Sequence, residues 1–533
     1  MSGSLGTLNI EALGPILLIS ALVLIVAVAA VRLSVRTGLP SLLLYLAIGL
    51  ALGDAGLGLH LDSLGLSRFL GYLALVFILI EGGITTRWSD IRSSVAPAAL
   101  LATVGVVVSI LVVAGAAHLL LHIPVNMALL IGAILSSTDA AAVFSVLREV
   151  NPSRRLSGLL EAESGFNDAP VVLVVVALSD HLARGGTDLP VTHIVLLVLA
   201  ELAGGVVIGI GVGWLAGKVM AQLGSTASGL FPIGVIAWTL LAYGIASLTH
   251  TSGFLAVYLC ALVLGNTALP HRATTRGFAE ALGWLAQIGL FVMLGLLTTP
   301  AELASQLGPA LVLGAVLLLL ARPLSVFAST VWFGFGLRDQ AFLSFAGLRG
   351  AVPIVLATVP VITGVREVEW IFNLVFVLVI VFTLVQALPL PYVVGWLGVV
   401  DQAEPHDVDI DSTPLEHAGA ELLDITVGEN SGLRGVTVLE LRLPGRADVS
   451  MIVRGGETFV PTDEDVLLTH DKVLLVCATT HRNAVTRRIL AIDRHGRLAG
   501  WAPGETAYHR RHPRFRDDPP QPPTPRRGPR PPR

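Results

Sequence analysis

The sequence predicts an all-α polytopic membrane domain of about 13 helices, followed by a small α+β cytoplasmic domain. Three observations predict it. Of 533 residues, 54% are hydrophobic and 14% charged, against roughly 25% charged in an ordinary soluble domain. The apolar residues come in runs of about 20, the length needed to cross a bilayer as a helix. After Val400 the composition turns abruptly polar.

The runs fall near residues 13–34, 39–53, 67–86, 95–120, 126–147, 157–182, 191–222, 229–247, 252–269, 278–298, 306–336, 339–362 and 371–399. No basic stretch precedes the first, so it reads as a span and not as a cleaved signal. Arg36, Arg87, Arg92, Arg148, Lys218, Arg276 and Arg338 lie in loops after odd-numbered runs, whereas loops after even-numbered runs carry only Arg68, Arg184 and Arg366. Because basic loops stay in the cytoplasm, the N-terminus is expected outside and the C-terminus inside. The segment 401–415 reads as an acidic linker, 416–492 as an α+β domain with strand-like runs such as Lys472 to Cys477, and 493–533 as a disordered tail with nine prolines from Pro513 onward. The basic residues are scattered, which excludes nucleic acid as a partner. Cys260 and Cys477 lie far apart and imply no disulfide or metal framework.

Two carboxylates are out of place in this pattern. Asp139 sits in Ser136-Ser-Thr-Asp-Ala-Ala-Ala-Val-Phe and Asp168 in Glu163-Ser-Gly-Phe-Asn-Asp, both deep in apolar runs. A charge at the bilayer centre costs roughly 2.5–3.5 kcal/mol on insertion scales, so it marks an ion or proton path. Glu163, Ser164, Asn167 and Asp168 fall within roughly 140° on one helix face. At about 1.5 Å per residue, Asp139 is roughly 20 Å from one end of its run and Asp168 roughly 17 Å from the other end of the next, at similar depth. Thr138 and Ser164 add hydroxyl oxygens, the hard ligands that a transported K+ or Na+ requires. A buried carboxylate beside another binds protons more readily, so proton and cation compete for one place. Such competition performs exchange if the site opens alternately to each side.

The buried bases are Arg322, in Leu319-Leu-Ala-Arg-Pro-Leu, and Arg349, in Gly347-Leu-Arg-Gly-Ala-Val-Pro. Arg349, about 15 Å into its run, is expected to pair with Glu163. Arg322 is expected to bond broken-helix carbonyls. Interruptions at 136–139 and 347–353 occupy corresponding places if runs 1–6 and 8–13 are inverted repeats, the best sequence pointer to a transport site. Glu81 stands near the inner end of the third run as a candidate for the cytoplasmic entrance. Gly205, Gly209, Gly213 and Gly217 form a stripe that permits close helix contact, within the subunit or across a dimer.

At Ser136 to Phe144, Glu163 to Asp168 and Gly347 to Pro353 the chain resembles the sodium/proton exchanger family of cation:proton antiporters, over about residues 13–399. The resemblance implies 13 spans in inverted repeats, a core and a dimerisation domain, and elevator-like alternating access. It also implies that Asp168 is the principal carrier, with Thr138, Asp139 and Ser164 in the site, and that Glu163, Asn167 and Arg349 brace it. Electrogenic relatives carry an aspartate where Asn167 stands, which favours electroneutral exchange.

Leu433-Arg-Gly-Val-Thr-Val-Leu-Glu-Leu and Leu468-Thr-His-Asp-Lys-Val-Leu-Leu-Val resemble the TrkA C-terminal domain, which regulates potassium transport. No Gly-x-Gly-x-x-Gly strand–helix unit precedes it, so a nicotinamide ligand is not expected; a nucleotide ligand follows from resemblance alone. The combination is similar to bacterial potassium/proton antiporters of the cell membrane, so potassium leads sodium and the chain is not expected to be an enzyme. A regulated potassium channel is the alternative of another class, disfavoured because no Thr-Val-Gly-Tyr-Gly filter is present. An idle membrane sensor is disfavoured by the intact set of site residues.

Overall fold

Lipid offers no partner for backbone N–H and C=O groups, so long apolar runs satisfy them internally as helices. The computed structural model describes residues 10–37, 39–53, 56–59, 64–139, 143, 152–186, 191–223, 229–267, 269, 271–399, 408–415, 420–428, 431–445 and 447–499. The chain divides into two compact units, 1–402 and 403–533.

Among the described residues, the first unit contains nine helices long and apolar enough to cross a membrane and four shorter apolar ones. Together they account for all 13 runs. Helices α1 (Ile10–Thr37), α2 (Ser41–Leu52) and α3 (Leu64–Thr85) are followed by the short α4 (Trp88–Ile91). Helix α5 (Val95–Leu100) passes through a π-helical turn at Leu101–Gly105 into α6 (Val106–Leu121). Helix α7 (Val125–Ile134) stops in mid-run, and most of that run beyond Asp139 lies outside the described residues. There follow α8 (Arg154–Ala183), α9 (Val191–Leu223), α10 (Leu230–Leu248), α11 (Gly253–Asn266) and α12 (Arg272–Leu296). The eleventh run starts earlier than expected, as α13 (Pro300–Val316), and crosses a second π turn at Leu317–Ala321 into α14 (Arg322–Thr330). The twelfth is α15 (Leu337–Phe345), an open stretch, α16 (Ala351–Ala357) and α17 (Val359–Ile362). The thirteenth is α18 (Glu369–Ala387), parted from α19 (Leu390–Leu397) where Pro389 has no N–H to continue the ladder.

The irregularities are paired. Breaks lie in the fifth and twelfth runs and π turns in the fourth and eleventh, positions that correspond in two six-run halves. A π turn displaces the i→i−4 ladder. Ser329 Oγ meets the disturbed backbone there, donating to the Leu100 carbonyl at 3.3 Å.

Packing sorts the helices into two groups. Helices α2, α3, α9, α10, α11 and α12 pack mainly on one another, and α5 to α8 pack on one another and on α13 to α18. The glycine stripe of α9 lies inside the first group: a Cβ on Gly205, Gly209 or Gly213 would run into Ser252, Ala256 or Val263 and Cys260 of α11 and its N-terminal edge, while Gly217 is in ordinary contact with Thr267. The stripe is therefore an intrasubunit seam.

The second unit is an antiparallel five-stranded sheet in the order β1-β2-β5-β3-β4, formed by β1 (Val408–Leu415), β2 (Ala420–Val427), β3 (Asp448–Arg454), β4 (Glu457–Phe459) and β5 (Lys472–Ala478). Leu423, Ile425 and Val427 alternate inward from β2, as do Val473, Leu475 and Cys477 from β5, and both rows join Val485, Ile489 and Ile492 of α20 (Arg482–His495) in one core. Two boundaries change. Residues 408–415 of the expected linker pair with β2, Val408 opposite Val427, because their apolar–acidic alternation is also that of an edge strand. The folded part also runs past 492, since Asp493 is buried and accepts from Ser431 Oγ at 2.5 Å. Linker residues 401–407 and tail residues 500–533 lie outside the described residues.

Gly209→Val is expected to lower the thermal midpoint of the purified protein by the equivalent of about 1–3 kcal/mol, the cost of overpacking. A Cβ there would lie 2.7 Å from the Ala256 carbonyl oxygen, which is backbone and cannot swing away. Gly211→Val, which meets open space, serves as the control; equal midpoints for the two variants would contradict the seam.

Candidate functional site

Helices α7 and α15 both end in mid-membrane, and each leaves carbonyls with no helical donor. The two open stretches supply one another. The Asp139 N–H donates to the Leu348 carbonyl at 2.9 Å. Arg349, 2% exposed, donates from Nε to the Leu135 carbonyl at 2.9 Å and from Nη1 to that of Gly347 at 3.1 Å. Helix α18 completes the set: Thr383 Oγ1 donates to the Arg349 carbonyl at 3.1 Å and Gln386 Nε2 to that of Phe345 at 3.2 Å. A cation at the meeting point of two helix C-termini also opposes their partial negative charge.

Glu163 on α8 is bound by Arg322, not by Arg349. The guanidinium is bidentate, with Nη1 2.5 Å from Oε1 and Nη2 2.8 Å from Oε2, and both residues are buried. Arg322 Nε turns to the Leu343 carbonyl at 3.3 Å. The expected roles of the two arginines are thus exchanged. The reason is steric: Arg322 reaches Glu163 by passing over Gly347, where any Cβ would strike its Nε. Arg349 lies on the open stretch itself, beside the carbonyls it satisfies.

Thr138 also departs from expectation. Its hydroxyl donates to Glu163 Oε1 at 3.2 Å and accepts from Asn167 Nδ2 at 2.5 Å. Ser137, which the sequence reading passed over, donates to Asp168 Oδ1 at 2.7 Å. Non-helical backbone at 137–139 sends successive side chains to opposite sides, so Thr138 faces the ion pair while Ser137 faces the carboxylate. The break at 136–139 was legible in the sequence; the side to which each of its side chains turns was not.

The site thus has a dry side and a wet side. Glu163, Asn167, Thr138, Arg322 and Arg349 are buried, whereas Asp139, Ser164 and Asp168 are partly exposed. Among the described residues no basic group pairs with Asp168. Asp139 faces it as a like charge and lies against Gly350, where a Cβ would collide with Oδ2. Asn167 Oδ1 is buried without a hydrogen-bond partner. No cluster of three or more His, Cys, Asp or Glu side chains that could hold a metal ion occurs among the described residues.

Exposure is graded along α8. Glu161, Ser164 and Asp168 lie within about 60° on one face and are partly exposed. Continuing along that face, Val171, Val172, Val175 and Ser179 are buried. The open end is lined by Glu161, hydrogen-bonded by the Thr86 hydroxyl, and by Glu81 of α3, which is within electrostatic reach of Glu161, Glu280, Arg276 and Asp139. Gly283 of α12 makes room for the Glu81 side chain.

The arrangement has counterparts in known proteins. The family model described as "Sodium/hydrogen exchanger, transmembrane" matches residues 20–396, and that of the TrkA-C domain matches 422–490. A protein named K(+)/H(+) antiporter NhaP from Alkalimonas amylolytica is 36% identical over 475 residues, covering 88% of this chain and 82% of its own. K(+)/H(+) antiporter NhaP2 of Shewanella oneidensis is 34% identical over 470 residues, covering 86% and 80%. The sodium proton antiporter MjNhaP1 from Methanocaldococcus jannaschii superposes with a TM-score of 0.63 at 21% identity, over 74% of this chain and 99% of that one; at that identity the likeness is one of fold.

Removing either Glu163 or Arg322 leaves a buried charge alone, expected to cost about 3–5 kcal/mol, and removing both is expected to cost less than either. Thermal unfolding of Glu163→Gln, Arg322→Met and the double variant measures this. Stronger coupling of Glu163 to Arg349 than to Arg322 in the parallel cycle would contradict the pairing.

Proposed function

The chain belongs to the sodium/hydrogen exchanger family, and from this we propose that it exchanges potassium for protons across a bacterial cell membrane, with Asp168 as the shared carrier. The observation that carries the proposal is the unequal treatment of two neighbouring carboxylates. Glu163 is neutralised by a bidentate guanidinium, whereas the Asp168 carboxylate receives one hydroxyl and, among the described residues, no basic partner. A carboxylate in that position holds either a proton or a dehydrated cation, and its charge keeps it from holding both. Asp139, Ser164 and Ser137 supply further oxygens on the same side. Asn167 contributes no second charge, which fits electroneutral exchange.

Burial of Val172, Val175 and Ser179 beyond the site supports one-sided access, and the positive-inside pattern makes the open side cytoplasmic. Alternating access then requires that the group of helices containing α7, α8 and α15 to α17 move relative to the group containing α3 and α9 to α12. The contacts between the groups are sparse beside those within them, as such a movement needs. The glycine seam belongs to the second group and travels with it, so the exposed face of that group is the natural homodimer surface.

Potassium is preferred to sodium because the relatives that cover most of this chain are named K(+)/H(+) antiporters and because a TrkA-C domain follows the membrane unit. The second unit acts by favouring one state of the first, through a ligand or a dimer contact that distinguishes two conformations. A nucleotide is the ligand class that the resemblance offers.

Asp168→Asn is expected to abolish cation-dependent proton movement in proteoliposomes carrying an internal pH dye, since it removes the charge and keeps the shape. The wild type is expected to respond more strongly to a potassium than to a sodium gradient. Exchange by a well-folded Asp168→Asn protein would overturn the site, and cation flux without obligatory proton movement would indicate a channel instead. Truncation after Val400 is expected to retain exchange with a changed dependence on internal pH or potassium; complete loss in a stable truncated protein would contradict a regulatory second unit.

A further inference from the structure

Helices α3 and α10 both pack on α11 and leave a cleft of about 330 Å³ between them, lined by Arg68, Phe69, Tyr72, Leu73, Leu240 and Tyr243 among others. That volume is at the lower end of the roughly 300–1,000 Å³ found for small-molecule sites. Its place along the helices fixes its depth. Arg68 is four residues into α3 and Tyr243 five residues from the end of α10, so both lie about 6–8 Å inside their helix ends. This is the level at which phospholipid headgroups meet the hydrocarbon, where tyrosine and arginine are enriched.

Three features of the cleft are unused by the transport site. The Arg68 guanidinium stands over the Tyr72 ring, 5.3 Å from its centroid. No carboxylate pairs with it among the described residues, although arginine at membrane depth ordinarily has an anionic partner. The Tyr72 hydroxyl is buried and has no hydrogen-bond partner beyond the neighbouring Arg68 guanidinium. The walls below are apolar, and Phe69 and Leu73 are themselves exposed on the outer surface of α3, so the cleft opens sideways toward lipid.

We propose that this cleft is a binding site for an anionic phospholipid, with the phosphodiester on Arg68, an oxygen of the headgroup or ester on the Tyr72 hydroxyl, and an acyl chain lying between Leu73 and Leu240. A net-negative headgroup is favoured over a zwitterionic one because the latter brings its own ammonium to compete with the guanidinium. Since α3 also carries Glu81 and packs against α11 and α12, the lipid would stiffen the helix group against which the site-bearing group moves.

Native mass spectrometry of the full-length protein after delipidation tests this. Wild type, Arg68→Gln and Leu240→Trp, the last chosen to fill the cleft, are each titrated with palmitoyl-oleoyl phosphatidylglycerol, phosphatidylethanolamine or glycerol 3-phosphate. The wild type is expected to retain phosphatidylglycerol in preference to phosphatidylethanolamine and to retain no glycerol 3-phosphate. Loss of a charge-assisted hydrogen bond is expected to weaken phosphatidylglycerol retention about tenfold in Arg68→Gln, with a comparable loss in Leu240→Trp. Equal retention by the three proteins would overturn the proposal. So would retention of glycerol 3-phosphate, which would make this a site for a soluble phosphate, or dissociation of a dimer in either variant with lipid retention unchanged, which would assign the cleft to a second copy of the chain.

Discussion

The bidentate pair of Arg322 and Glu163 is the interaction on which the membrane unit turns. Two buried ions in lipid are tolerable only together, so α14 and α8 are fixed to one another at the depth where the chain is otherwise weakest. The π turn before Arg322, the missing side chain at Gly347 and the hydroxyl of Thr138 all serve to let that contact form. With Glu163 neutralised, the negative charge left over at this depth belongs to the aspartates.

Arg349 solves a different problem. Two helices that end within the membrane expose carbonyls that would each cost several kcal/mol if left alone. One guanidinium, two side chains of α18 and a single backbone bond between the stretches satisfy them. What the breaks supply in return is a patch of non-helical backbone whose side chains alternate, placing Ser137 toward Asp168 and Thr138 toward the ion pair. A continuous helix would have turned Ser137 and Thr138 through about 100° and left no such division between a dry brace and a wet site.

Much of this was legible in the residues. The depth of Asp139 and Asp168, the break at 136–139 and the matching break at 347–350 follow from hydropathy and helix rise alone. The partner of Glu163 did not, because two arginines at similar depth are distinguished by lateral position, which a single run of sequence does not encode; the deciding feature was the space at Gly347. Ser137 was missed because the break at 136–139 does not by itself say to which side each of its side chains turns. The strand at 408–415 was hidden by its acidic residues, which suit a linker and an exposed edge equally well. The π turns leave no mark in composition, since their residues are the same apolar ones found in regular helix.

The central claim is that one carboxylate, spared from pairing, holds either a proton or the cation. Proton release on cation binding tests it most directly. Purified protein in weakly buffered detergent solution with a pH-sensitive dye is mixed with potassium chloride, using choline chloride as the control. The account predicts that protons leave as potassium binds, that apparent affinity falls as pH is lowered, and that both effects vanish in Asp168→Asn. Saturable potassium binding with no proton release and an affinity independent of pH would contradict it.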